Sequence, residues 1–125
     1  MKRYIQIGAI TAMLSVALGA FGAHLLEDRL TADALDIYDT AVQYQMFHAV
    51  GILIIALLLD RLPSQKLAIW AARLLLTGIV VFSGSLYVLA ISGIKVLGAI
   101  TPIGGVLFIA GWICLALAAR PVNKH

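Results

Sequence analysis

Four long apolar stretches, residues 4–26, 40–59, 67–91 and 100–119, take up most of this chain. Each holds about 20 residues or more, roughly the length at which an α-helix crosses a hydrocarbon core ~30 Å thick. A water-soluble four-helix bundle would set an apolar stripe against a charged face, and these stretches carry almost no charge on any face. Hydrophobic residues make up 62% of the chain and charged ones 12%. The expected fold is therefore all-α: one membrane-embedded four-helix bundle spanning residues 1–125. Little chain is left for a soluble domain, so any function must sit inside the bundle, on a short loop or on a partner.

Composition narrows the function further. The net charge of +3 is not a nucleic-acid signature, because the basic residues flank the apolar stretches and form no patch interleaved with aromatics. Cys114 is the only cysteine, which excludes an internal disulfide or a paired-cysteine metal site. No cofactor is expected. The bilayer is the expected surrounding, with homo-oligomerisation or a larger membrane complex left open.

Basic residues set the expected orientation. Lys2, Arg3, Arg61, Lys66, Arg120 and Lys124 lie on the side of both termini, against Arg29 and Lys95 on the other. By the positive-inside rule both termini are cytoplasmic, with Arg73 snorkelling to that side. Five of the six acids, Glu27, Asp28, Asp33, Asp36 and Asp39, fall in the first outer loop. An alternative reading makes the N-terminus a cleaved secretory signal ending at Ala20, Phe21 and Gly22. The length of the run and its small residues favour a retained helix.

Local signals refine the spans. Gly8, Ala12, Ser15, Gly19 and Gly22 form a small-residue stripe that suits close helix contact in lipid. Thr31 can cap a short amphipathic helix in the first outer loop, with Leu35, Tyr38 and Val42 on one face and the aspartates elsewhere. If continuous to Leu59, that helix should protrude or bend near Asp39 and Thr40. Pro63 ends the second span and Ser64 caps the third. Thr101 and Pro102 read as N-cap and first residue of the fourth.

Depth then gathers the polar residues. His24, Tyr44, Gln45, His48, Ser83, Ser85, Tyr87 and Thr101 all fall in the outer half of the bundle. Helical spacing puts Tyr44, Gln45 and His48 on one face with Thr40, and Ser83 with Tyr87 on another. At that depth they must be satisfied by one another, by water or by a ligand. Two accounts stay open: interhelical hydrogen bonding, or a small cavity for a solute, lipid headgroup or ring-bearing amphiphile. His48 is expected to be neutral, because no carboxylate lies within a span.

Other chemistry has thin support. His24 and His48 alone make a poor metal or haem pair, since zinc sites usually have three or four protein ligands. Met13 and Met46 read as lipid-facing or core filler. A serine nucleophile at Ser83 or Ser85 would need His48 within reach, and Gly84 reads as close packing. Gly104 and Gly105 suit either helix crossing or an anion at the helix N-terminus. No catalytic residue and no metal site is expected.

Several of these residues carry a resemblance. Gly19, Gly22 and His24, then Thr40, Gln43, Tyr44, Gln45 and His48, resemble the signatures of a small bacterial membrane family. So do Phe82, Ser83, Gly84, Ser85 and Tyr87, and then Thr101, Pro102, Gly104, Gly105, Gly111 and Trp112. The family is domain-of-unknown-function 423, or uncharacterised protein family 0382, with distant relatives of the transmembrane-protein-256 type. The resemblance implies a multi-pass plasma-membrane protein and brings no activity with it. Leu25 departs from the small residue expected after His24.

The orientation is directly testable. Cysteines placed at Asp36 and Asn123 and labelled from outside intact cells should react only at position 36. Labelling at position 123 would reverse the topology.

Overall fold

A computed structural model describes residues 2–121, together with all side chains in that range except that of Ala23. Asn123 and Lys124, which bear on the orientation, lie outside the described residues. Four helices are long and apolar enough to cross a membrane, and no strand occurs among the described residues. We number them α1 (Lys2–Leu26), α2 (Ala32–Leu58), α3 (Gln65–Ser92) and α4 (Thr101–Ala118). They run up, down, up and down through short connections.

Chemistry at the helix ends agrees closely with the sequence. The Thr31 hydroxyl accepts from the Ala34 amide at 3.1 Å, and Ser64 accepts from the Leu67 amide at 3.3 Å. Each satisfies one of the amides that a helix start leaves orphaned. Gly93 closes α3 in the left-handed region, φ 72°, with its amide bonded to the Leu89 carbonyl at 2.8 Å. Thr101 departs from expectation. It is the first helical residue, not the cap, because its hydroxyl turns sideways to Ser85 on α3.

No separate helix occupies the connection between α1 and α2. Residues 32–39 are the opening turns of α2, which runs unbroken for 27 residues, about 40 Å at 1.5 Å per residue. With no proline or glycine near Thr40, nothing interrupts the hydrogen-bond ladder there. The helix is thus continuous through Asp39 and Thr40. Asp33, Asp36 and Asp39 are exposed and Tyr38 is buried, so the amphipathic reading of these turns holds.

Two π turns interrupt otherwise regular helices, Leu18–Gly22 in α1 and Ile79–Ser83 in α3. A π turn inserts one residue and re-aims the side chains beyond it. Both lie beside the polar layer.

The core is built where α2, α3 and α4 meet, around Ile52, Ile55, Ala68, Ala71, Ala72, Leu75 and Phe108. Alanines and glycines bring the backbones together. A Cβ on Gly104 would strike the Phe82 backbone within the α3 π turn. One on Gly111 would lie 2.7 Å from Leu75, and one on Gly78 2.6 Å from Phe108. Gly51, not singled out by sequence, similarly meets Trp112.

Helix α1 is peripheral. Only 6% of its apolar window is buried, against 44% for α2. It lies along α2 through Gly8, Thr11 and Ser15, all buried. The small-residue stripe is thus a real contact, but a narrow one. A Cβ on Gly8 would come 2.8 Å from Leu53, and one on Gly19 3.0 Å from Val42. Gly22 leaves room for the Tyr38 hydroxyl.

Gly84 and Gly105 break the packing expectation, since a Cβ on either meets nothing within 4 Å. Both face away from neighbouring helices of this chain. Gly104→Ala should therefore destabilise the protein by about 1–3 kcal/mol through overpacking. Gly105→Ala should be neutral or stabilise by up to about 1 kcal/mol, since alanine is the better helix former. Thermal unfolding of both variants in one detergent checks the pair.

Candidate functional site

The polar residues of α2 sort by direction. Successive residues turn by about 100°, so Gln45 faces α1 and α3 whereas Tyr44 and His48 face α4. This divides what sequence grouped as one face into two separate sets.

The first set centres on Gln45, 5% exposed. Its amide nitrogen donates to the Thr11 carbonyl of α1 at 3.0 Å, and its oxygen accepts from the Tyr87 hydroxyl of α3 at 2.6 Å. One carboxamide thus spans three helices. Ser15 donates to the same Thr11 carbonyl at 3.0 Å. Tyr87 packs edge-on against Tyr38 with ring centroids 5.3 Å apart. Tyr38, 2% exposed, donates its hydroxyl to the Leu18 carbonyl at 2.6 Å, at the start of the α1 π turn. Sequence reasoning placed Tyr38 on an interfacial face and gave it no place in this layer. Its burial opposite Gly22 is a tertiary fact.

The serines serve two further joints. Ser83, fully buried, donates to the Ala41 carbonyl of α2 at 2.7 Å. Ser85 donates to the Phe82 carbonyl at 2.9 Å and lies 2.7 Å from the Thr101 hydroxyl. The Thr101 hydroxyl also lies 3.4 Å from the Leu97 carbonyl, so each hydroxyl of the pair has a carbonyl acceptor on its own side and either can donate to the other.

The second set is the aromatic box around His48. The imidazole stacks on Phe108 with centroids 3.6 Å apart and planes at 12°. Its Nδ1 lies 2.8 Å from the Tyr44 carbonyl, and the Trp112 indole N–H donates to its Nε2 at 3.1 Å. Indole nitrogen can only donate. Nε2 is therefore the acceptor, and Nδ1 carries the proton it gives to Tyr44. Both nitrogens are used by a neutral ring. Trp112 and Phe108 complete this set. In the sequence Trp112 stands out only as part of a motif, and Phe108 not at all.

Two expected members stand apart. His24 is exposed on α1 and joins no hydrogen bond of the layer among the described residues. Its position, in the turn after the π insertion, carries it away from α2. Tyr44 is 42% exposed. Its ring leans on Phe82, 4.5 Å between centroids, while its hydroxyl reaches none of Gln45, Ser83 or Tyr87. Thr40 bonds back to the Asp36 carbonyl at 2.9 Å and also stays outside the layer.

No buried side-chain nitrogen or oxygen lacks a partner among the described residues. The interior of the layer is thus closed by its own hydrogen bonds. Space lies instead at its edge, in a groove of about 360 Å³ lined by Gln43, Tyr44, Phe47 and His48. Gln43 and Phe47 are exposed, Phe47 at 64%. Met46 is half-buried and Met13 is 59% exposed, as their reading as filler and lipid-facing side chains requires.

Comparison with known proteins agrees in extent. The family model described as "Protein of unknown function (DUF423)" matches residues 18–105. The UPF0382 membrane protein YwdK of Bacillus subtilis is 50% identical over 95% of this chain and 97% of its own length. A UPF0382 membrane protein of Staphylococcus epidermidis is 51% identical, covering 94% of this chain and 95% of that one. One from Staphylococcus haemolyticus is 48% identical over 94% and 95%. No solved structure matches.

Two variants probe the layer. Gln45→Leu should cost about 1–2 kcal/mol, since interhelical bonds in lipid are modest but the Tyr87 hydroxyl loses its acceptor. Nitrogen-15 NMR of His48 should show a single Nδ1-protonated tautomer. Trp112→Phe should keep that tautomer, because the Tyr44 carbonyl can only accept from Nδ1, and should shift the Nε2 resonance through loss of its indole donor.

Proposed function

The chain belongs to the DUF423 family of bacterial membrane proteins, and within it we propose a non-enzymatic plasma-membrane protein that receives an amphiphile at the α2 groove. Both termini face the cytoplasm in this reading, so the groove opens to the outer half of the bilayer. The observation that carries it is a contrast in satisfaction. Every buried polar side chain of the described chain is paired, whereas the exposed Gln43 and the Tyr44 hydroxyl border an aromatic-walled groove without partners of their own. A polar group facing hydrocarbon favours whatever satisfies it. A volume of about 360 Å³ is in the range of small-molecule sites. Phe47 and Tyr44 supply apolar walls, and Gln43 offers both donor and acceptor.

The non-enzymatic part rests on commitments already made. Ser83 gives its proton to Ala41, and both nitrogens of His48 are engaged. Among the described residues no nucleophile and base are hydrogen-bonded to each other, and no carboxylate lies within the apolar stretches.

A second reading, an assembly subunit packing against a larger membrane complex, is favoured by Gly84 and Gly105. These glycines serve no contact within the chain and would admit a partner helix closely.

Lipidomic and small-molecule mass spectrometry on purified protein separates the two. The groove reading expects one stoichiometric small molecule, retained by the parent and lost in Gln43→Leu and Phe47→Ala. No such molecule, with a reproducible protein partner lost in Gly84→Leu or Gly105→Leu, would replace it with the assembly reading.

A further inference from the structure

At the opposite end of the bundle the first turns of α1 and α3 enclose a second groove, of about 570 Å³, lined by Lys2, Arg3, Tyr4, Ile69 and Arg73. Three of its five lining residues are cationic and none is acidic. We infer that this groove binds the phosphate headgroup of an anionic phospholipid.

Arg73 is the centre of the argument. It lies eight residues into α3, about 12 Å from the helix start at 1.5 Å per residue. That depth is the edge of the hydrocarbon, where a guanidinium is costly unless its head reaches polar partners. It reaches back towards the helix start. Its Nε donates to the Tyr4 hydroxyl at 3.3 Å, and its guanidinium carbon sits 5.4 Å from the centre of the Trp70 ring. Tyr4 and Trp70 thus hold the plane of the group, as cation–π contact and hydrogen bonding do together. The two terminal nitrogens carry four further N–H donors. Their fork matches two phosphate oxygens, and Lys2 and Arg3 add charge at the mouth.

The groove favours a lipid over a free anion. Ile69 forms part of its wall, and Trp70 is 47% exposed beside it on the lipid-facing surface. A headgroup held by Arg73 would leave its acyl chains against these apolar surfaces. Basic pockets between transmembrane helices recognise anionic headgroups on this basis. The site lies in the other half of the bundle from the α2 groove and does not depend on it.

Native mass spectrometry of the full-length protein, offered phosphatidylglycerol or phosphatidylcholine of the same acyl chains, tests this. The parent should retain phosphatidylglycerol in preference. Arg73→Gln should retain it about ten-fold less, the scale of one lost charge-assisted contact. Lys95→Gln, the same charge change at the other end, should match the parent. Equal losses in both variants, or equal retention of phosphatidylcholine, would overturn the site. Displacement of the lipid by inorganic phosphate at equal concentration would overturn the lipid assignment. Should Arg73→Gln fail to fold, the double variant Lys2→Gln, Arg3→Gln, altered only at exposed positions, takes its place with the same outcomes.

Discussion

One carboxamide holds three of the four helices in register. Gln45 joins the Thr11 carbonyl of α1 to the Tyr87 hydroxyl of α3 from its own place on α2. In water such a contact would compete with solvent and contribute little. In hydrocarbon there is no solvent to compete, and a helix turned or slid away would strand both its donor and its acceptor. The remaining joints obey the same logic. Ser83 fastens α3 to α2, Thr101 fastens α4 to α3, and the Trp112 indole fastens α4 to α2 through His48.

These directional contacts need backbones close enough to meet, which small residues provide. Gly104 lets α4 touch the Phe82 backbone where the α3 π turn displaces it. Gly111 and Gly78 continue that seam, and Gly8 and Gly22 do the same for α1 on α2. Apolar side chains are no better buried in protein than in lipid tails, so packing and hydrogen bonds together must supply association. The consequence for function is a division of labour. The polar interior is consumed in holding the helices, and open grooves lie at the surface, on α2 and between α1 and α3.

Much of the architecture is legible in the chain alone. Four apolar stretches, the Thr31 and Ser64 caps and the α1 small-residue stripe are local patterns, and each is found in the fold. The polar layer is legible as a set of residues but not as a set of partners. Of the residues that depth groups, the fold pairs Gln45 with Tyr87 and Ser85 with Thr101, while His48 turns to Trp112 and Ser83 to a backbone carbonyl. Depth also admits His24 and Tyr44, because it says nothing about the angle at which a side chain leaves its helix.

That angle is what only tertiary structure decided. The two π turns each insert one residue into a helix, too small a change for hydrophobic periodicity to register. Tyr38 of α2 meets the Leu18 carbonyl at the start of the α1 turn, and beyond that turn the His24 side chain is left exposed. Backbone carbonyls of Thr11, Leu18, Ala41 and Phe82 accept four of the key bonds, and carbonyls are the same at every position of a sequence. The bilayer as solvent, the number of spans and the identity of the polar groups were written locally, in composition and spacing. Which group meets which was set by helix rotation and approach, because those depend on all four helices at once.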